Sequence, residues 1–239
     1  MEALPELENL KAKVRAIEGG GVDFGRETAT LGDGIDAGLP WGGLPYRALH
    51  EISGNVASGA AAAIAGRFLD RGGVLVWCRS ERLARELGEP YGPGLAGFGL
   101  DPDRVIVARC EDDREVLWAF EEALRCPGVA CAIAEPRQLD LLASRRLQLA
   151  AESGGGAGLL LRPGAPDPAP NAALTRWRAE PLPGEASWRL ILWRCRGGAP
   201  GVWTVRWNDQ TLSFAVADGL ADRADAPFRP APRTAVSAG

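Results

Sequence analysis

Gly54 and Gly59 stand five residues apart, the spacing of a phosphate-binding loop, inside HEISGNVASGAAAAIAGRFL (His50 to Leu69). A strand-like run precedes them and an alanine-rich helical run follows. Such a loop works through three components. Glycines let backbone N–H groups turn towards phosphate oxygens, and the helix N-terminus adds its positive dipole. A Lys followed by Ser or Thr then supplies a cation for the β- and γ-phosphates and a hydroxyl for magnesium. Ser58 and both glycines are in place, but Ala60 and Ala61 occupy the Lys and Ser/Thr positions. Alanine neither donates to a phosphate nor ligates a metal, so these residues predict a structural turn without magnesium-dependent ATP turnover, hence no catalytic residue, cofactor or metal. Two carboxylates, Glu81 after VLVWCRS and Glu135 after VACAIA, end apolar runs, where a pair can hold a metal and orient water. Their plainer readings are a Glu81 that starts a helix and suits its dipole, and a solvated Glu135 before a proline. His50 is the single histidine and has no ligand spacing around it. It reads as a residue at a strand edge rather than a zinc ligand or triad base.

The elements around these residues alternate. VLVWC, DRVIVARC, VACAIA and GLLLR are continuous apolar runs of the kind buried on both faces, and helical stretches separate them. That order predicts an α/β fold with a mainly parallel sheet flanked by helices and joined by right-handed crossovers. DDREVLWAFEEALRC has a helical period with an Asp cap. LDLLASRRLQLAAE reads as a helix whose leucines form the buried face, leaving Arg145 and Arg146 towards solvent. After Arg162 the pattern changes to a Pro-rich loop and then short runs, TRWRAEPL, SWRLILWRC, GVWTVRW and TLSFAVA, separated by turn signals. These predict an antiparallel meander at the C-terminal edge of the sheet.

Composition sets further bounds. Hydrophobic residues make up 46% and charged residues 24% of the 239, with a net charge of −4, as in a globular domain without the strongly basic balance of a dedicated DNA binder. No apolar run is long enough to span a bilayer, and no charged flank with an apolar core marks a secretory signal. Cys78, Cys131 and Cys195 lie in apolar runs and no C-x-x-C pair occurs, which predicts small buried thiols and a reduced, cytoplasmic compartment. The organisation expected is an N-terminal amphipathic helix over 1–18, a core over 19–217 and a disordered tail over 218–239. Leu7, Leu10, Val14 and Ile17 form a narrow a/d-like seam on that helix, for packing on its own core or on a partner.

From about Leu31 to Phe214 the chain resembles the RecA family of strand-exchange recombinases. LGDGIDAGLPWGGLP is similar to that family's entry segment, and EISGNVASGAA to its phosphate loop with both catalytic side chains replaced. The resemblance implies that Glu81 falls at the position of the water-activating glutamate and Glu135 at that of the magnesium-associated aspartate. GLLLRPG is similar to the strand leading to the family's DNA loop, with Arg162 in place of an amide. Within this family, GDGIDAGLPWGGLP, ALHEI, YGPGLAGFGLDPDRV, LWAFEEALRCPGV, LDLLASRRLQLAAE, TRWR and RCRGGAPG resemble one narrower group, ImuA, the inducible mutagenesis proteins. That resemblance implies a RecA-like core and a role in the SOS response to DNA damage. It also implies ImuB and a DnaE-type error-prone polymerase as partners in translesion synthesis, and RecA itself or ImuB as the neighbour for the seam helix.

Three rival readings stay open on the residues. A SulA-type cell-division inhibitor is also SOS-linked and RecA-like without a working phosphate loop. A residual ATPase would use Glu81 and Glu135. A single-stranded DNA binder would use Arg176, Arg178, Arg194 and Arg196, interleaved with tryptophans of the meander, for charge and stacking. The alternative to the last is a meander with tryptophans packed inward and arginines pointing out.

Overall fold

A computed structural model describes residues 27–163, 169–183 and 187–217. The seam helix with Leu7, Leu10, Val14 and Ile17, and the tail over 218–239, lie outside the described residues. The core is a nine-stranded sheet in the order β11-β10-β9-β8-β3-β7-β6-β4-β5. Its strands are β3 (Leu49–Gly54), β4 (Val74–Ser80), β5 (Val105–Cys110), β6 (Val129–Ala134), β7 (Ala157–Pro163), β8 (Thr175–Pro181), β9 (Ser187–Cys195), β10 (Gly201–Asn208) and β11 (Ser213–Val216). Two short strands, β1 (Thr28–Ala29) and β2 (Leu44–Pro45), pair with each other, with α1 (Asp33–Asp36) between them.

Six neighbouring strands, β8 to β5 in sheet order, run parallel. Side chains alternate across them. In β6, Cys131 and Ile133 face the core under α2 (Ala57–Phe68), while Ala132 and Ala134 face α5 (Asp113–Arg125) and α6 (Leu141–Gly154). Both faces of β6 are therefore dry, which is why the sequence shows a continuous apolar run instead of alternation; β5, whose DRVIVARC reads as another such run, is instead an edge strand with Ile106 and Val107 exposed. The run Ala60 to Ala65 is buried throughout. Small side chains let α2 lie close to the sheet, and a Cβ on Gly66 would fall 2.4 Å from the Phe98 carbonyl oxygen of the loop that crosses it. Asp112 and Asp140 cap α5 and α6 by accepting from the Glu115 and Ala143 amides, satisfying donors that the helices leave free. No described helix is long and apolar enough to cross a membrane.

The antiparallel extension is real but begins one strand later than the turn pattern predicts. TRWRAEP, β8, pairs parallel with β3, Glu51 opposite Arg176, and only its other side meets β9 antiparallel. β7 and β8 flank β3, so the segment between them returns the chain to the starting end of the sheet and β8 re-enters in the parallel sense. The two sheet edges differ. The Phe214 amide on β11 donates to the Leu31 carbonyl at 2.8 Å, whereas β5 carries exposed Ile106 and Val107.

Candidate functional site: the glycine loop and the strand ends around it

The turn after β3 is shorter than a phosphate cradle. Gly54 ends the strand at φ 103°, and a Cβ there would lie 2.3 Å from the Ala179 carbonyl oxygen. Only glycine accepts both the left-handed backbone and the close approach of β8. Asn55 and Val56 form the rest of the loop, with the Val56 amide donating to Ala179 O at 3.4 Å. α2 begins at Ala57, and by Ala60 the amide is already committed to Val56 O at 3.0 Å. Ser58, Gly59, Ala60 and Ala61 are thus in the first helical turns and not in a loop curled around an anion. Ser58 is exposed, but Ala60 and Ala61 are both 0% exposed. A Cβ on Gly59 would sit 3.4 Å from the Trp188 ring and 3.6 Å from Phe98. Those rings belong to an aromatic cluster of Phe98, Trp188, Trp207 and Phe214, with centroids 5.1 to 6.0 Å apart. Trp188 and Trp207 of the meander join this cluster, and Trp188 closes over the start of α2.

The two carboxylates are not brought together. Glu81 opens α3 (Glu81–Leu87) behind the Ser80 cap and pairs on the surface with Arg85 at 2.8 Å, as its helix-start reading predicts. Glu135 is not solvated as its plainer reading expects. It is 3% exposed, takes a hydrogen bond from the Trp77 indole and lies 3.6 Å from the Arg79 guanidinium. Burial pushes its carboxyl above the ordinary range, with Arg79 and Trp77 opposing the shift. Arg79 also donates to Gly88 O at 2.7 Å and approaches Glu89, which pairs with Arg109 at 3.0 Å. Both oxygens of Glu135 are therefore engaged by neighbouring side chains. Among the described residues no group of three His, Cys, Asp or Glu is placed to hold a metal.

His50 sits in the middle of the sheet, not at its edge. Its Nε2 donates to the Pro45 carbonyl at 2.9 Å, which leaves Nδ1 to accept from the Thr175 hydroxyl at 2.7 Å, and the Trp177 indole donates to that hydroxyl at 2.8 Å. A carbonyl can only accept, so the tautomer is fixed. Complete burial lowers the imidazole to about 4, keeping it neutral.

A 39% identity over 200 aligned residues relates the chain to Protein ImuA of Caulobacter vibrioides strain NA1000 / CB15N, spanning 72% of this chain and 80% of that protein. Protein ImuA of strain ATCC 19089 / CIP 103742 / CB 15 of the same species matches with the same figures. The chain belongs to the ImuA family. No protein-family model matches it. Among solved structures, the RadB recombinase superposes with a TM-score of 0.56 at 17% identity over 76% of this chain and 97% of its own, which shows that this ImuA-family core has the RecA-like fold.

The four arginines named as DNA contacts separate in this ImuA-family core. Arg176 is a correction: it is 2% exposed. Its Nε donates to Glu51 at 2.8 Å, a second nitrogen donates to Ala169 O at 3.0 Å, and its guanidinium covers the Trp193 ring at 4.0 Å. Asn171 donates to the other Glu51 oxygen. Two charges facing each other in β3 and β8 satisfy one another internally, which is what permits their burial. Arg178 is largely buried, 4.0 Å from Glu180. Arg194 and Arg196 reach the surface, on a cleft beside α6. Glu51, Trp77, Arg79 and Asn171 went unnoticed in the sequence. The one available signal was a carboxylate inside the apolar run ALHEIS.

Proposed function

We propose that this ImuA-family chain is a non-catalytic RecA-like adaptor in SOS-induced DNA damage tolerance. It supports error-prone translesion synthesis with ImuB and a DnaE-type polymerase, and joins its partners without a nucleotide cycle. The observation that carries the reading is the start of α2. The two positions where ATP chemistry needs Lys and a hydroxyl hold alanines with no exposed surface, within the main core cluster. A RecA-like sheet is kept while the charge and hydroxyl for the γ-phosphate and magnesium are missing.

Assembly then rests on surfaces. The seam of Leu7, Leu10, Val14 and Ile17 is the contact proposed for RecA or ImuB. The β5 edge, unpaired among the described residues and with Ile106 53% and Val107 36% exposed, is a second surface of the kind that pairs with another chain. The test is a pull-down of tagged ImuB and of RecA by the full chain and by Leu10→Asp/Val14→Asp. The variant loses the partner that the helix contacts, RecA or ImuB, while its circular dichroism spectrum stays that of the parent. Undiminished capture by the variant removes the helix from the reading.

A further inference from the structure

The leucines of α6 do not form the buried face that their periodicity predicts. Leu147 is buried, but Leu141, Leu142 and Leu149 are 43%, 78% and 63% exposed. Leu141, Arg145 and Leu149 follow one another at steps of four along one side of the helix, and neighbours at that spacing share a face. That side forms one wall of a cleft of about 370 Å³. The other wall is the end of β9, where Arg194 and Arg196 face the helix across Asn171 and Ala172.

The cleft is built. Arg176 lies opposite Arg194 and Trp177 opposite Leu192, so Trp193 is an extra residue in β9. In a regular strand Leu192 and Arg194, two residues apart, would share a face. The bulge at Trp193 separates them: Leu192 enters the core under α2 and Arg194 turns to the α6 side, the re-aiming of a side chain that bulges produce. The floor is tied down as well: the Ala172 amide donates to the Ser144 hydroxyl of α6 at 3.0 Å, and the Arg196 amide to Leu174 O at 2.9 Å. Arg146, on the neighbouring side of α6, is neutralised by Glu121 at 2.7 Å. Arg145, Arg194 and Arg196 have no ion-pair partner among the described residues, and no described carboxylate lines the cleft.

We propose that this cleft between α6 and β9 is a docking groove for an acidic peptide segment of a protein partner, one that carries a bulky apolar side chain between its carboxylates. Three uncompensated guanidiniums fit carboxylates, and the flanking leucines form the apolar seat that an anchor residue fills. Single-stranded nucleic acid shares the negative charge but needs aromatic faces for its bases. Among the described residues the cleft lining offers none: the Trp193 ring lies under the Arg176 guanidinium, and Trp188 and Trp207 are in the cluster over α2. The inference does not depend on whether the chain turns over nucleotide.

The test uses the full chain. Random peptides displayed on phage are selected on it after depletion on Arg145→Glu/Arg194→Glu/Arg196→Glu. Recovered peptides, and a labelled oligo-dT, are then titrated by fluorescence anisotropy. The expected result is enrichment of Asp- and Glu-rich sequences with a Leu, Phe or Met anchor. Their binding weakens at least about tenfold in the triple-arginine variant and in Leu149→Ser, and is unchanged in Trp118→Ala on α5. All variants should melt with the parent, since the altered side chains are on the surface. Failure to recover any peptide that discriminates the variant, recovery of neutral or basic sequences, or indifference to Leu149→Ser overturns the proposal. So does oligo-dT binding that the same three arginines control, which makes the cleft a nucleic-acid groove.

Discussion

Putting back the missing phosphate-loop side chains will damage this protein instead of reviving it. In Ala60→Lys/Ala61→Thr, both new side chains start from alanines with no exposed surface, inside the main core cluster. The threonine adds two heavy atoms to a filled space, an overpacking that costs about 1–3 kcal/mol. The lysine must bury an ammonium, lose its proton or push the first turn of α2 outwards. Effective penalties for an unpaired buried charge are on the order of several kcal/mol. A combined loss of about 4 kcal/mol or more is a large share of the roughly 5–15 kcal/mol that holds a domain together. For a chain of this size, about 2–4 °C per kcal/mol gives a melting temperature roughly 8–16 °C lower. Nor does the variant gain a cradle, because the Ala60 amide is already bonded within the helix. The assay is thermal melting by circular dichroism with and without MgATP, beside a fluorescent-nucleotide titration. Ser58→Lys, at an exposed position of the same turn, serves as the control and should stay within about 0.5 kcal/mol of the parent. A double variant that melts with the parent and is stabilised by MgATP would refute the reasoning, since it would show a nucleotide site lacking only its side chains.

Stability should fall in acid through His50. Its folded value of about 4 lies below the ordinary 6.5, so the unfolded chain takes the proton first. The contribution is complete above pH 6.5 and is lost as pH drops towards 4, about 3 kcal/mol in all. Urea midpoints across that range measure it, and His50→Gln should flatten the slope. Arg176→Ala strands the Glu51 carboxylate in the core and should cost about 3–5 kcal/mol, while Glu51→Leu/Arg176→Met should recover most of it; equal losses in both would show that the pair is not the reason. Gly54→Ala must move the Ala179 carbonyl or leave its left-handed backbone, and should lower the urea midpoint more than Gly128→Ala, which has open space around it and no left-handed backbone.

The parallel core was legible because burial on both faces writes itself as uninterrupted apolar runs: β4, β6 and β7 stand out as VLVWC, VACAIA and GLLLR. The parallel sense of β8 was not, because TRWRAEP looks like the strands after it and its direction depends on where the returning segment lands. Three further differences share one cause. Arg176 buried against Glu51, Glu135 held by Trp77 and Arg79, and His50 bonded to Thr175 all pair residues distant in sequence. Taken singly, each side chain reads as exposed or marginal, and only the partner brought by the fold makes its burial tolerable. The exposed leucines of α6 err in the opposite direction. Helical period identifies a face but not what covers it. The loop itself was half readable: Ala60 and Ala61 announce missing side chains, but not that α2 begins before them or that Trp188 arrives from β9 to close the turn.

Assembly without a nucleotide cycle is decided by the affinity of the full chain for ImuB, measured with and without MgATP. By isothermal titration the chain should bind ImuB with the same dissociation constant in both conditions, and MgATP titrated into the chain alone should give no binding heat. Binding to ImuB that appears only with MgATP, or saturable heat from MgATP and the chain alone, would contradict it.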